Sequence, residues 1–166
     1  MRLLKSCLSS RRPGQQMANP CVFCQIAQGS TSTALLYADE RVVAFPDIKP
    51  SAFRHYLVIP VEHISTVNEL QGRVEHHQLV NHMLNVGKDL LKRDAPESEL
   101  HRFGFHRPPF NSVNHLHLHC LALPFIPSFL LNDSWKCVKY TPMAFGGFQE
   151  AENLLEQIKP PSTLNS

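Results

Sequence analysis

The sequence has few charged residues, and the two signs nearly cancel. Its 16 lysine and arginine residues stand against 14 aspartate and glutamate residues, so the formal net charge is only +2. Binding to nucleic acid or to an anionic membrane through overall charge needs a larger excess of one sign. The chain also lacks any run of about 18 apolar residues, the length that a membrane-spanning helix requires. We therefore expect no membrane partner and no nucleic-acid partner.

Two common kinds of nucleotide site are missing from the sequence as well. No glycine-rich loop with the spacing of a dinucleotide-binding or P-loop motif occurs. No cluster of carboxylates that could hold two metal ions is apparent, which argues against two-metal phosphate chemistry. The five cysteines form no evident disulfide framework and favour a reducing compartment. The expected location is the cytoplasm, with the nucleus as a second location.

Histidine, by contrast, is abundant, with 10 residues in the chain. Three of them, His115, His117 and His119, alternate with apolar residues, which is the period of a half-buried strand. Such a strand presents the imidazoles on one face, roughly 7 Å apart, and the apolar side chains on the other. A row of imidazoles is costly to bury unless the protein uses it. A histidine-lined surface strand and an adventitious metal patch are the alternatives.

Residues 1–20 differ in composition from the rest and are interpreted as a flexible N-terminal extension. Within residues 1–16 there are four basic residues and no acidic one, which is also the composition of a mitochondrial presequence. Met17 could serve as an alternative initiator. Mitochondrial targeting by residues 1–16 is therefore the alternative to a flexible extension.

The remaining pattern predicts one α+β domain over residues 21–158, followed by a polar tail over residues 159–166. Short strands are predicted over residues 34–37, 41–45, 55–60, 102–106 and 115–123, joined by turns into an antiparallel sheet of about five strands. Residues 70–93 repeat apolar side chains every three or four positions and predict one long helix. A second amphipathic helix is predicted near residues 151–158.

The middle histidine, His117, is the best candidate for a nucleophile. A neutral imidazole can attack phosphorus when its second nitrogen is fixed by a hydrogen bond. Donors around the phosphate could come from His119, from Ser112 on the preceding loop and from His55 on a neighbouring strand. Asp47 lies in a loop bounded by prolines, where it could accept hydrogen bonds from two sugar hydroxyls or simply cap the turn.

The motif Cys21-Val-Phe-Cys24 near the start of the domain is weak evidence when taken alone. It could be half of a zinc site, a redox pair or a chance occurrence. The strand and helix pattern that surrounds a thioredoxin-like pair is missing. A zinc site would need two further ligands from elsewhere in the chain.

Several of these motifs together resemble the histidine-triad family. The run from His115 to Leu121 looks like its signature, and the order and spacing of Cys21–Cys24, residues 44–48 and residues 55–63 are similar to the same family. The resemblance covers about residues 21–123. Residues 104–110 and the C-terminal helix resemble, more narrowly, the third branch of the histidine-triad nucleotide-binding proteins, which are adenosine 5′-monophosphoramidases.

The resemblance implies a nucleoside phosphoramidase that hydrolyses adenosine 5′-monophosphoramidate, AMP-lysine and acyl-AMP through a covalent AMP on His117. It implies catalytic or orienting roles for His119, His55, Ser112 and His115, the last through its carbonyl oxygen. It also implies a purine-nucleotide site formed by Phe23, Phe45, Asp47, Ile48, Asn111, Ser112, His117 and His119. The chemistry requires no metal. A homodimer is the expected assembly.

The loop before the triad departs from the best-known branch. Phe110-Asn111-Ser112-Val113 stands where that branch has Gly-Gln-Ser-Val, so substrate preference can differ. Bacterial members resemble this chain in Cys21, Cys24, His63 and His115, which implies a structural zinc site. Two alternatives have other functions: aprataxin-like deadenylation of nucleic-acid ends, and a nucleotide-binding adaptor with little catalysis.

Overall fold

The computed structural model describes residues 21–126, 139–142 and 147–161. The predicted N-terminal extension over residues 1–20, for which mitochondrial targeting is the alternative, lies outside the described residues, as do residues 162–166 of the tail. The helices are α1 (Val22–Ala27), α2 (Val74–Asp94) and α3 (Ala151–Gln157), with a short 3₁₀ helix at Val67–Glu69. The strands are β1 (Tyr37–Ala38), β2 (Val42–Pro46), β3 (Ala52–Pro60), β4 (His101–His106), β5 (Leu118–Phe125) and β6 (Phe148–Glu150).

The described strands form one antiparallel sheet in the order β1-β2-β3-β5-β4-β6. The predicted α+β class and antiparallel sheet are confirmed, with six strands in place of about five. The additional strand, β6, pairs Phe148 with His106 and Glu150 with Gly104. Three residues are too few to show an alternating pattern, so the sequence did not indicate this strand.

Helix α2 packs its apolar stripe on one face of the sheet and forms the main core. Its buried side chains include Leu79, Val80, Met83, Leu84, Leu90 and Leu91. The helix begins at Val74 and not at the predicted residue 70, because Leu70 is extended and ends the 3₁₀ helix. No helix in the described ranges is long and apolar enough to cross a membrane.

The histidine motif is only partly a strand. Strand β5 begins at Leu118, so the prediction that His115 and His117 lie in it is wrong. The pairing of β5 with β3 stops at Leu118, which lies opposite Val58, although β3 continues to Pro60. The Leu116 amide donates instead to the carbonyl of Ile64, in the loop after β3. The alternation of faces is nevertheless present, since Leu116, Leu118 and Cys120 belong to the core beneath α2.

Candidate active site

His117 is held in one tautomer by the main chain. Its Nδ1–H donates to the carbonyl oxygen of His115 at 2.6 Å, so the lone pair of the neutral ring is on Nε2. Burial lowers the pKa of His117 below its usual value and therefore favours this neutral form. The ring of Phe23 packs edge-on against it, with centroids 5.4 Å apart. The structure thus provides a fixed, neutral imidazole with one nitrogen available as a nucleophile.

Behind His117, three other imidazoles form a continuous chain of hydrogen bonds. His55 Nε2 lies 2.9 Å from His119 Nδ1, and His119 Nε2 lies 2.9 Å from His106 Nδ1. At the far end, His106 Nε2 lies 3.2 Å from the carbonyl oxygen of Lys139. The ring of His119 also contacts that of His117, with centroids 5.0 Å apart. This chain of imidazoles therefore forms a wall beside His117.

Two backbone groups determine the direction of this chain. The Ser51 amide donates to His55 Nδ1 at 3.2 Å, so the neutral His55 ring must carry its proton on Nε2. His55 then donates to His119, which must carry its proton on Nε2 and donates to His106 in turn. The proton of His106 is likewise on Nε2, which can donate a hydrogen bond to the Lys139 carbonyl. All three tautomers are consistent with a single direction of donation.

Burial keeps the three imidazoles of this chain neutral. It lowers the pKa of His55 and that of His106 to about 4, and it lowers the pKa of His119 well below its usual value. Neighbouring histidines act in the same direction on His119, because a second positive charge beside the first would be repelled. Both ring nitrogens of His119 are occupied by other imidazoles, so a direct contact with phosphate would require one of these hydrogen bonds to exchange.

Asp47 lies beside His55, at the opposite end of the imidazole chain from His106. Its Oδ1 accepts the Lys49 amide at 2.8 Å, which is the turn-capping role, and its Oδ2 lies 3.4 Å from His55 Nε2. The carboxylate is thus fixed at the rim of the imidazole cluster. Its proposed contact with ribose hydroxyls stays a prediction.

The loop before the triad lies on the other side of His117. Asn111 donates to the side chain of Asn114 at 2.8 Å and, with Val113, His106 and His117, lines a small cavity of about 10 Å³. That volume is about enough for one water molecule. Ser112 is exposed in the same loop. Asn111 thus lines the same cavity as His117, while the nucleotide contact of Asn111 and the phosphate contact of Ser112 stay predictions.

The three residues expected near the base are placed differently from one another. Phe23 and Phe45 are buried in a small apolar cluster, with ring centroids 5.6 Å apart. Ile48 is 94% exposed. Phe23 reaches His117 directly, whereas Ile48 offers an uncovered apolar side chain at the rim.

The four residues of the proposed zinc site do meet. Cys21 Sγ and Cys24 Sγ each lie 3.5 Å from His115 Nδ1, and Cys24 Sγ lies 3.1 Å from His63 Nδ1. His115 Nε2–H donates to the Pro60 carbonyl at 2.9 Å, which leaves the Nδ1 lone pair directed at the two thiols. A metal-bound histidine commonly makes such a hydrogen bond with its other nitrogen. Two thiols and two imidazoles are a donor set that zinc prefers, and these residues fit it.

In two other groups of potential metal ligands, members are already hydrogen-bonded to one another. They are His106 with His117 and His119, and Asp47 with His55 and His119. His119 Nε2 and His55 Nε2 both carry protons in the chain set by Ser51. A metal in either group would have to displace these protons and break a hydrogen bond between two imidazoles.

Two residues of the cluster were not assigned from the sequence. The resemblance at residues 104–110 includes His106 but gives it no role. Tyr140 lies in a stretch whose pattern was mixed, yet its ring covers His55, His106 and His119, with centroid distances between 5.1 and 5.4 Å. The available signal was a histidine that closes an apolar strand, Phe103 to Phe105, where a core residue would be expected.

Comparison with known proteins agrees with this site. A family model described as "Scavenger mRNA decapping enzyme C-term binding" matches residues 20–134. A bifunctional adenosine 5′-phosphosulfate phosphorylase/adenylylsulfatase of Arabidopsis thaliana is 60% identical over 141 residues, which are 84% of this chain and 92% of that protein. An adenosine 5′-monophosphoramidase of Xenopus tropicalis is 39% identical over 141 residues, 84% of this chain and 87% of that protein.

Among solved structures, a HIT (histidine-triad) family hydrolase of Legionella pneumophila is similar in fold. The TM-score is 0.58 at 30% identity, over 66% of this chain and 97% of that one. The chain belongs to the histidine-triad family. The resemblance stated from its motifs is thereby confirmed, and so is its assignment as a hydrolase. Within the histidine-triad family, the identity to the phosphosulfate enzyme is higher than that to the monophosphoramidase.

Proposed function

We propose that the chain hydrolyses conjugates of AMP through a covalent AMP on His117. The observation that carries the proposal is the 2.6 Å hydrogen bond from His117 Nδ1 to the His115 carbonyl. It leaves Nε2 with the lone pair and prevents the ring from presenting an N–H to the phosphate. The imidazole cluster behind it holds the ring in place, and pre-positioning of this kind lowers the barrier to attack.

In the first step, the Nε2 lone pair of His117 attacks the α-phosphorus. A nitrogen–phosphorus bond forms and the bond to the leaving group breaks, so the leaving group departs with that electron pair. In the second step, water attacks the phosphorus, the bond to Nε2 breaks and its electron pair returns to the ring. AMP is released and the proton of the attacking water passes to solvent.

The leaving group defines the substrate class. In a phosphoramidate the leaving group is an amine, which takes up a proton from solvent as it departs. In adenosine 5′-phosphosulfate it is sulfate, which departs as a stable anion and needs no proton. The relatives named above include both a monophosphoramidase and a phosphosulfate enzyme. We therefore propose that adenosine 5′-monophosphoramidate, AMP-lysine, acyl-AMP and adenosine 5′-phosphosulfate are all cleaved at the α-phosphorus.

The test is turnover of these substrates by the purified chain and by His117→Ala and His117→Asn. Denaturation without acid during turnover, followed by peptide mass spectrometry, should find AMP on His117, and both variants should lose adduct and turnover. His101→Ala, an exposed residue of β4, is the matched control. Adduct on another residue would overturn the assignment. Preferential cleavage of adenylated DNA would favour deadenylation, and tight AMP binding without turnover would favour the adaptor.

We also propose that Cys21, Cys24, His63 and His115 hold a structural zinc ion. When bound, zinc would cross-link α1 to the loop before β5 and contribute to folding free energy, without taking part in the reaction. The tautomer of His115 supports this proposal, because its proton is on Nε2 and its Nδ1 lone pair faces the two thiols. Metal analysis of the purified chain should find one zinc ion, and a chain with Cys21 and Cys24 both changed to serine should hold none.

The homodimer and the cytoplasmic or nuclear location stay predictions. The two edge strands of the described sheet, β1 and β6, have two and three residues. A dimer that extends the sheet would have to pair one of these short edges or the exposed start of β4. Sedimentation equilibrium would determine the oligomeric state.

A further inference from the structure

His106 occupies a place in the site that neither the triad nor its preceding loop accounts for. It ends β4 and is only 5% exposed. Its Nδ1 faces His119 Nε2 at 2.9 Å, and its Nε2 faces the Lys139 carbonyl at 3.2 Å. Phe148 and Tyr140 pack on its ring, with centroids 5.4 and 5.1 Å away. The side chain therefore has one position, set from all sides.

The other hydrogen bonds of the imidazole chain depend on the one between His119 and His106. The Ser51 amide makes His55 a donor to His119 Nδ1, so His119 must carry its proton on Nε2. That N–H is buried, and a buried donor left without an acceptor is destabilising. His106 Nδ1 supplies the acceptor. Without it, the His119 ring would have to turn or change its tautomer.

A displaced His119 would change the surroundings of the nucleophile. The rings of His119 and His117 meet at 71°, with centroids 5.0 Å apart, so the position of one limits that of the other. The main-chain hydrogen bond of His117 restrains its Nδ1, while the contact with His119 restrains the tilt of the ring. Small errors in the aim of a reacting atom cost rate without weakening substrate binding.

We propose that His106 is a positioning residue for AMP transfer by His117. Its Nδ1 accepts a hydrogen bond from His119 Nε2–H. This bond holds His119 in one tautomer and one orientation beside His117. His106 needs no contact with the substrate for this role. The inference rests on the proposed function and adds to it a residue that acts through two other imidazoles.

Two substitutions separate the two hydrogen bonds of His106. In His106→Asn, the amide oxygen can take the place of Nδ1 and accept from His119, while the bond to the Lys139 carbonyl is lost. In His106→Gln, the longer amide can take the place of Nε2 and donate to that carbonyl, while the acceptor for His119 is lost. Each variant loses one hydrogen bond, so a purely structural role would affect both alike.

The experiment measures turnover and the protonation of His119 in the full chain. Nitrogen-15 NMR of the imidazoles should show a protonated Nε2 and an unprotonated Nδ1 on His119 in the wild-type chain and in His106→Asn. His106→Gln should lose this signature, and its kcat should fall about 10- to 100-fold with little change in KM. His106→Asn should recover most of the lost kcat. His101→Gln on the same strand is the control.

Three results would overturn the proposal. One is equal loss of kcat in the Asn and Gln variants, and another is wild-type kcat in His106→Gln. The third is a wild-type spectrum with the His119 proton on Nδ1, which needs no variant to fold. If the wild-type chain turned over no AMP conjugate, the proposed function would fail as well, whereas the first two results in an active chain would overturn the role of His106 alone.

Discussion

The ring of His115 and its backbone carbonyl serve two different parts of the molecule. The ring donates to the Pro60 carbonyl at 2.9 Å and directs its other nitrogen at the thiols of Cys21 and Cys24. The carbonyl of the same residue accepts the Nδ1–H of His117 at 2.6 Å. The proposed zinc site and the proposed nucleophile are therefore joined through one residue. A change at the zinc site should consequently alter turnover.

The first prediction follows from this link. Cys24→Ser should lower the melting temperature and reduce, but not abolish, turnover, because a bound metal would hold the His115 main chain and the catalytic histidine would remain intact. Zinc content, calorimetry and turnover would be measured on the same preparation. Cys120→Ser, a buried cysteine outside the group, is the control for loss of a thiol and should keep its zinc. Full stability and full zinc content in Cys24→Ser would contradict the proposed site.

The second prediction concerns Asp47. In Asp47→Asn, the side-chain oxygen can still cap the Lys49 amide, so the loop should keep its shape while the negative charge is lost. A hydrogen bond to a charged group contributes about 1.5 to 3 kcal/mol, so AMP affinity should fall about 10-fold or more if the carboxylate binds the ribose. Titration calorimetry with AMP measures this. Asp89→Asn on α2 is the control, and unchanged affinity in Asp47→Asn would remove it from the nucleotide site.

The third prediction concerns acid stability. The pKa values of His55 and His106 are about 4 in the folded chain, against 6.5 for an ordinary histidine. Between these values the unfolded chain binds more protons than the folded one, so the free energy of unfolding rises with pH through this window. The lowered pKa of each buried imidazole corresponds to roughly 3 kcal/mol of folding free energy, which is present above pH 6.5 and lost by about pH 4.

Urea unfolding measured from pH 7.5 to pH 4.5 would check this slope. We expect stability to fall steadily as the pH is lowered below about 6.5. In His106→Asn the slope should be shallower, since one of the buried bases is absent, whereas His101→Gln should leave it unchanged. A flat profile for the wild-type chain over this range would show that the imidazoles are not buried as neutral bases.

The fourth prediction concerns the contact between α2 and β5. A methyl group added at Gly87 would lie 2.5 Å from Cys120 Sγ. Overpacking of a core costs about 1 to 3 kcal/mol, while alanine gains about 1 kcal/mol over glycine in a helix. Because Cys120 is fully buried in the central part of the sheet, we expect the clash to prevail and Gly87→Ala to lower stability.

Adding Cys120→Ala should recover part of that loss, because it removes the sulfur that the new methyl group meets. Asn85→Ala, on an exposed position of the same helix, is the control for helix propensity alone. Additive effects of Gly87→Ala and Cys120→Ala in chemical unfolding would contradict a direct contact between these positions.

Local patterns predicted the parts of the fold that depend on local periodicity. The alternation from Leu116 to Cys120 indicated which side chains enter the core, and the spacing from Leu79 to Leu91 indicated the buried face of α2. Both follow from the fixed geometry of strands and helices, so no knowledge of the partner surface was needed. The limits of these elements were less accurate, because they depend on contacts with other segments. The Leu116 amide donates to the Ile64 carbonyl and not to β3, and α2 begins only after the 3₁₀ helix and the extended Leu70.

The sequence alone indicated the apolar faces and the family, and it predicted the nucleophile, because these depend on residues close to one another along the chain. Only the tertiary structure decided the hydrogen-bond chain from Ser51 to Lys139. Its members come from separate segments, and the register that sets Gly104 opposite His119 brings His106 to the triad. The direction of hydrogen-bond donation along the imidazoles depends on the folded protein, because a backbone amide determines it at one end and a backbone carbonyl at the other.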